Sequence, residues 1–319
     1  LNYGNIDFCI RGFGADALEQ LMLKLLEGKS NFETISNVCF IRNGTIITGQ
    51  PLVSSVSSST NDGAYNAGDT ILVTITFSEI VDVTGTPQLT METGSTDAVL
   101  NYVSGSGAAT LVFRYIVASG HTSADLAYSS TTALALPEST TKIQDNLVND
   151  GVLTLPVPGA TNSLAANKVL VIDTEAPTAG TVSDGSGTDV TYSGSSTSVT
   201  ANWTGFSDAL SGIASYEIAV GTTSGATNVL SWTSAGDVTT YTKSDLSLTH
   251  ATRYYVSTRA LDAAGNYSAA ATANGVIIDV VAPSSTVSID STTYNASEWD
   301  AATAITGTAA DTNSGLSLV

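Results

Sequence analysis

Apolar positions change their spacing once along this chain. Near the N-terminus Ala17, Leu18, Leu21, Met22, Leu25 and Leu26 recur every three to four residues, the stripe that one face of an α-helix presents. Asp16 stands in the first turn and Gly28 just past the end, where a dipole partner and a left-handed C-cap belong. Before this helix, Phe8-Cys9-Ile10 predicts a short strand. After it, Val38-Cys39-Phe40-Ile41 and Thr45-Ile46-Ile47 flank Asn43-Gly44. Asn-Gly between two β-branched runs predicts a hairpin, because both turn residues need positive φ. Beyond Pro51 the period is two, as in Thr70 to Phe77 and Thr110 to Val117. Clusters of Gly, Asn, Asp and Ser interrupt the pattern at intervals of about ten residues, and short strands so spaced predict an all-β sandwich.

The sandwich region repeats itself. Val171-Ile172-Asp173-Thr174-Glu175-Ala176-Pro177 returns as Ile277-Ile278-Asp279-Val280-Val281-Ala282-Pro283. Asp208-x-x-Ser211-Gly212-Ile213 returns as Asp311-x-x-Ser314-Gly315-Leu316. Both recurrences fall about one sandwich length apart, roughly 100 residues. They predict modules at 53–174 and 176–280 and a truncated third at 282–319, with a strand-helix-hairpin fragment at 1–50. Two or three strands alone are expected to be unstable. The chain opens and closes in mid-pattern, without a start Met or a signal peptide. It is therefore expected to be a piece of a longer protein.

Charge separates the two regions further. The chain has 319 residues and a formal net charge of −19, from 10 basic and 29 acidic residues. Residues 1–50 hold both cysteines and are nearly balanced, so almost all of the negative charge lies in the modules. Binding to nucleic acid needs a basic stripe, and an anionic membrane surface would repel this chain. No apolar run reaches the roughly 18 residues of a membrane helix.

Two resemblances follow from particular motifs. Residues 176–280 resemble a fibronectin type III module of bacterial surface arrays. Val199-Thr200-Ala201-Asn202-Trp203 matches its strand B, and Ser215 to Val220 its strand C. Leu248-x5-Tyr254-x-Val256-x-Thr258-x-Ala260-x-Asp262 matches strand F with its tyrosine corner, and Asp262 to Asn266 the F–G turn. Residues 53–174 resemble a bacterial Ig-like repeat in Ala67-Gly68-Asp69-Thr70-Ile71, Phe77-Ser78-Glu79, Gly85-Thr86-Pro87-x-Leu89 and Ser163 to Lys168. The resemblances imply a mainly all-β fold of tandem Ig-like and fibronectin III-like β-sandwiches, preceded by a small α+β segment. They also imply a stalk of an exported surface protein or adhesin.

Residues 6–48 resemble the tail of a cobalamin-binding domain from radical S-adenosylmethionine enzymes, through Ile6 to Gly14, the Leu-rich helix and the Cys39 to Ile47 hairpin. Phe13 and Ala15 depart from the family's acidic pattern. The cobalamin-ligating histidine would lie upstream, and the family's Cys-x3-Cys-x-x-Cys cluster is missing, since no Cys follows Cys39. This resemblance implies an origin and no retained activity.

The remaining candidates for chemistry are few. Gly12-Phe13-Gly14-Ala15-Asp16-Ala17 has the spacing of a dinucleotide loop. A hairpin follows its helix instead of a second parallel strand, so the glycines read as turn residues. Cys9 and Cys39 would form one disulfide in an oxidising compartment, but both sit in apolar runs and buried free thiols are the preferred reading. His121 and His250 read as exposed loop histidines without a nucleophile partner. A glycosidase pair needs a cleft that a small sandwich rarely has. No enzyme activity is expected.

Calcium is the leading chemical expectation. In a fibronectin III-like module the B–C and F–G loops share the pole at which strand A begins. That pole would collect Asp208 and Asp262, with Asp173 and Glu175 on the entering linker. Clustered carboxylates repel unless a hard cation bridges them, and Ca²⁺ accepts oxygen ligands in loose geometry. Asp279 and Asp311 are expected to repeat the device. The alternative is that these are solvated turn residues.

The expected function is a non-catalytic extracellular stalk or adhesion array on a bacterial surface. Its expected partner is a cell-surface protein or glycan, and the segment is expected to be monomeric. A carbohydrate-binding accessory role is the alternative, with Tyr65, Trp232 and Trp299 as candidate aromatics. A fragment of a cobalamin-dependent enzyme, in residues 1–50 only, is the remaining one.

Overall fold

The computed structural model describes residues 6–10, 38–42, 45–47, 50–289 and 305–315. The expected helix over 17–26, the 12–17 glycine loop, the Asn43-Gly44 turn and Trp299 lie outside the described residues. The chain divides into two units, Leu1–Glu175 with Ala263–Gly265, and Ala176–Asp262 with Asn266–Val319. Among the described residues no helix is long and apolar enough to cross a membrane.

The N-terminal strands form one small antiparallel sheet. Strand β1 (Ile6–Ile10) pairs with β2 (Val38–Arg42), and β2 pairs with β3 (Thr45–Ile47). Arg42 opposite Thr45 leaves a two-residue connection, the length that the Asn-Gly signal predicts. Cys9 stands opposite Cys39 in the register.

The rest of the first unit is a sandwich. It begins with β4 (Val53–Ser58), β5 (Gly63–Tyr65), the long β6 (Thr70–Thr84), β7 (Gln88–Glu92), β8 (Ala98–Ser104) and β9 (Ala108–Ile116). Short strands follow: β10 (Thr122–Ser123), β11 (Ala127–Tyr128), β12 (Leu134–Ala135) and β13 (Lys142–Gln144). One turn of helix, α1 (Leu164–Asn167), leads to β14 (Leu170–Asp173). The large sheet runs β11-β7-β8-β9-β6-β13, with β4 also on β6 and β12 on β7. The smaller sheet is β10-β14-β5, with β14 parallel to β5.

The two-residue period explains this core. Ile71, Val73, Ile75 and Phe77 alternate inward along β6 and meet Leu111, Phe113 and Tyr115 from β9. Leu89, Met91, Leu100, Leu170 and Ile172 close the same cluster. Each such side chain contributes on the order of 1.5–3 kcal/mol by leaving water. The helical turn is capped by Ser163, whose hydroxyl accepts the Ala166 N–H at 3.3 Å. That bond meets one of the first-turn N–H groups, which have no partner inside a helix.

The second unit opens with β15 (Thr181–Asp184), β16 (Tyr192–Ser193), β17 (Val199–Thr204), β18 (Ile213–Gly221), β19 (Leu230–Gly236) and β20 (Thr240–Lys243). It continues with β21 (Arg253–Asp262), β22 (Ala271–Thr272) and β23 (Val276–Ile278). One sheet is β15-β17-β20 and the other is β16-β23-β21-β18-β19, with β22 on β21. Strand β16 runs parallel to β23, so the chain changes sheets between β15 and β16. This is the two-sheet order of a fibronectin III-like sandwich. Trp203 is 3% exposed and packs on Tyr216 at 5.4 Å between ring centroids, with Phe206 edge-on to the same tyrosine. The tyrosine corner is present, with the Tyr254 hydroxyl accepting the Thr249 N–H at 2.9 Å. Beyond β23, β24 (Ser284–Ile289) and β25 (Ile305–Ala310) form an antiparallel pair.

Candidate functional site

The second sandwich gathers acids at one end. The segment joining β17 to β18 turns at Asp208, whose Oδ2 accepts N–H groups from Leu210 at 3.0 Å and Gly212 at 2.7 Å. The turn closes at Gly212 with φ of +77°, a conformation that costs glycine little. Asp262 ends β21 and is 2% exposed. Its Oδ1 accepts the Asn266 N–H at 2.8 Å and its Oδ2 the Asn266 side-chain amide at 2.9 Å. Carboxylate oxygens of Asp208 and Asp262 lie within 4.8 Å of each other. The loops thus bring together two of the expected ligands. Each acid also satisfies backbone donors of its own turn. A carboxylate offers about four lone-pair sites, so these bonds leave room for a hard cation.

Asp173 and Glu175 belong to the first unit. Asp173 is buried at the end of β14, and its Oδ1 accepts the Glu175 N–H at 3.1 Å. Glu175 is exposed.

Asp279 and Asp311 show what the repeated motif does locally. Asp311 Oδ1 accepts N–H groups from Asn313, Ser314 and Gly315 at 3.0, 2.9 and 3.1 Å. These bonds, with Asn313 first, hold its carboxyl below the usual carboxylate range. The same Ser314 N–H reaches Asp279 Oδ2 at 3.0 Å. Asp279 Oδ1 accepts the Val281 N–H at 3.2 Å and lies 3.6 Å from His250 Nδ1. The linker acid and the turn acid therefore meet through one shared N–H donor.

The histidines correct an expectation, because neither is an exposed loop side chain. His121 is half-buried, stacked 5.8 Å from the Tyr115 ring, with Nδ1 bonded to the Tyr115 hydroxyl at 2.8 Å. His250 lies beside Asp279, and its Nε2 is 3.1 Å from the Asn313 amide. Flexible-looking loop sequence hid the fact that each ring packs at a module end.

The candidate aromatics are likewise engaged. Tyr65 packs against the first core, and its hydroxyl donates to the Asn61 carbonyl at 2.6 Å. Trp232 lies 4.5 Å from the Arg259 guanidinium, which Tyr267 covers at 4.0 Å. That guanidinium also donates to Glu217 at 2.9 and 2.6 Å.

Sequence reasoning missed Asp184, the last residue of β15. It is fully buried, and its Oδ2 accepts the Gly275 N–H at 2.9 Å. Its Oδ1 has no hydrogen-bond partner among the described residues. Burial pushes its pKa up to about 6, and the Asp189 charge adds to this, while the Gly275 N–H and Arg253 oppose it. An Asp beside Gly185 in a Ser- and Gly-rich stretch reads as a turn, so no sequence signal marked it.

No family model matches this chain, and no curated protein does. Solved structures are similar to it in part. Three domains of titin align at 14% identity over 75% of this chain and 73% of that one, with a TM-score of 0.34. The fibronectin domains FN1–FN3 of chicken CNTN1 align at 13% identity over 74% and 67%, with a TM-score of 0.31. FdeC, described as an Escherichia coli adhesin, aligns at 16% identity over 74% and 67%, with a TM-score of 0.30. These neighbours are fibronectin III and Ig-like tandem domains. None supports the cobalamin-binding resemblance of residues 6–48.

Proposed function

We propose that this chain is a non-catalytic segment of an extracellular module array, a spacer or adhesive stalk on a bacterial surface. The serial construction carries the reading. Each sandwich ends on its own last strand, β14 or β23, and an Asp-to-Pro linker follows at once. At the second linker, Asp279 then bonds the loop of the segment beyond it. An array needs cores that stand alone and short connections, and both described sandwiches have their own cluster of buried residues. High net negative charge favours a soluble, self-repelling chain.

The finer proposal is calcium, held by Asp208 and Asp262 in the second module. Asp173 and Glu175 are expected ligands in the same proposal, and Asp279 and Asp311 an expected second site. The close approach of two carboxylates supports it. The partner is proposed to be a surface protein or glycan. For residues 6–48 no activity is proposed.

Calorimetry of the full chain tests the reading. Independent modules predict two resolved transitions, one of which rises with 2 mM Ca²⁺ and falls with a chelator. A single transition would contradict the array, and transitions unmoved by calcium would remove the ion from it.

A further inference from the structure

Strands β8 and β9 of the first module carry a groove of about 380 Å³, a volume within the range of small-molecule sites. Val99, Asn101, Val103, Arg114, Ile116 and His121 line it. All but the half-buried His121 are exposed.

Three nitrogen groups around this groove are uncommitted among the described residues. Arg114 stands opposite Asn101 in the β8–β9 register. Of the module arginines, Arg253 donates to the carbonyls of Asn274 and Gly275, and Arg259 to Glu217. The Arg114 guanidinium has no ion pair or hydrogen bond among the described residues. Asn101 Oδ1 accepts from Gln88 Nε2 at 3.0 Å, which fixes the amide and leaves its NH₂ without a partner among the described residues.

The His121 ring is fixed as well. The Ala118 N–H donates to Nδ1 at 3.4 Å. Burial pushes the Tyr115 phenol up, so that hydroxyl stays protonated and donates to the same nitrogen. Nδ1 is then an acceptor, and the ring proton sits on Nε2.

Among the described residues no carboxylate lines the groove, although the chain carries 29 acidic residues. A guanidinium pairs with a carboxylate through two parallel hydrogen bonds. A single cation suits a singly charged ligand better than a phosphate dianion. The amide and imidazole donors suit hydroxyls, and the exposed Val99, Val103 and Ile116 suit the C–H face of a ring.

We infer that this groove binds a carboxylate-bearing sugar, free or at the end of a glycan. Arg114 holds the carboxylate, while Asn101 and His121 hold hydroxyls. The inference belongs to the first module alone and does not depend on the stalk reading or on calcium.

Saturation-transfer NMR on the full chain tests it, with glucuronate and N-acetylneuraminate as acidic probes and glucose as the neutral one. Binding is expected for an acidic sugar, weakened at least about tenfold in Arg114→Ala, as loss of a charged hydrogen bond predicts. Arg114→Lys is expected to retain part of it. Arg114 is exposed, so an unchanged melting temperature certifies the fold of both variants. Free sugar and a glycan ending in the same sugar separate the two sources, and either supports the site. Equal signals from glucose, no signal from either acidic sugar, or affinity unchanged in Arg114→Ala would overturn it. Preference for an acidic peptide over both acidic sugars would overturn it too.

Discussion

The carboxylate of Asp279 accepts the backbone N–H of Ser314 at 3.0 Å, across 35 residues of sequence. The acid opens the linker after β23, and the serine lies in the Asp-x-x-Ser-Gly turn that follows β25. A linker side chain thereby fixes the backbone of the next segment. Hydrogen bonds to charged groups contribute about 1.5–3 kcal/mol. Asp311 Oδ1 holds the same N–H at 2.9 Å, so the Asp279→Ala, Asp311→Ala double variant should raise the amide exchange rate of Ser314 by at least about tenfold, and Asp279→Ala alone by less. Exchange at Val256, in the core of the second sandwich, should change far less. Equal acceleration at both positions would show that Asp279 supports the whole sandwich instead of the junction.

Asp184 predicts a pH dependence of unusual sign. Its folded pKa of about 6 lies above the ordinary value of 3.8. Well below pH 3.8 both folded and unfolded forms hold the proton, and the acid costs nothing. As pH rises toward 6 the unfolded chain releases the proton first, so stability falls, and above 6 the loss is constant. Two units correspond to about 3 kcal/mol as an order of magnitude. Asp184→Asn keeps an oxygen for the Gly275 N–H and cannot ionise. Urea unfolding should show the variant gaining on the wild type between pH 4 and 6. A constant difference across that range would refute the assignment.

Tyr254→Phe deletes the hydroxyl that accepts the Thr249 N–H. The ring stays buried and the core is unchanged in volume. A loss of about 1 kcal/mol is expected, seen as a fall of several degrees in the melting of the second module. A neutral result would mean that water replaces the corner hydrogen bond without cost.

Calcium makes a third stability prediction. With about 1 mM ion and a dissociation constant of about 0.1 mM, linkage stabilises by roughly 1.4 kcal/mol per site. The Asp208→Asn, Asp262→Asn double variant should lose that calcium-dependent rise. A rise that survives in the variant would place the ion elsewhere.

The sandwiches were legible because a two-residue period has few other solutions. Ile71, Val73, Ile75 and Phe77 alternate with Thr70, Leu72, Thr74 and Thr76, and a sheet with one buried face is the structure that uses such a pattern. Trp203 and Tyr254 were legible as a core residue and a corner through the resemblance of their strands to a fibronectin type III module. The Asp208 and Asp262 turns were legible from position, though the sequence did not show that each acid first satisfies its own N–H donors. The Asp-x3-Asn pattern is a signal that could have shown it. Asp145 with Asn149 and Asp262 with Asn266 make the same pair of bonds, one to the backbone N–H and one to the side-chain amide. Asp184 and the Arg114 groove were not legible. The burial of Asp184 comes from the change of sheets after β15, and Arg114 is seen to lack an ion pair only against the described residues placed around it.

Pulling on single full-length chains by atomic force microscopy tests the spacer reading most directly. The two sandwiches should unfold in separate force peaks, each releasing a length set by about 100 residues at roughly 3.3–3.6 Å per residue. Added calcium should raise the force of the peak assigned to the second module, and Asp208→Asn with Asp262→Asn should return it to the calcium-free value. Extension without resolved peaks, at forces no greater than those that stretch an unfolded chain, would contradict a load-bearing array.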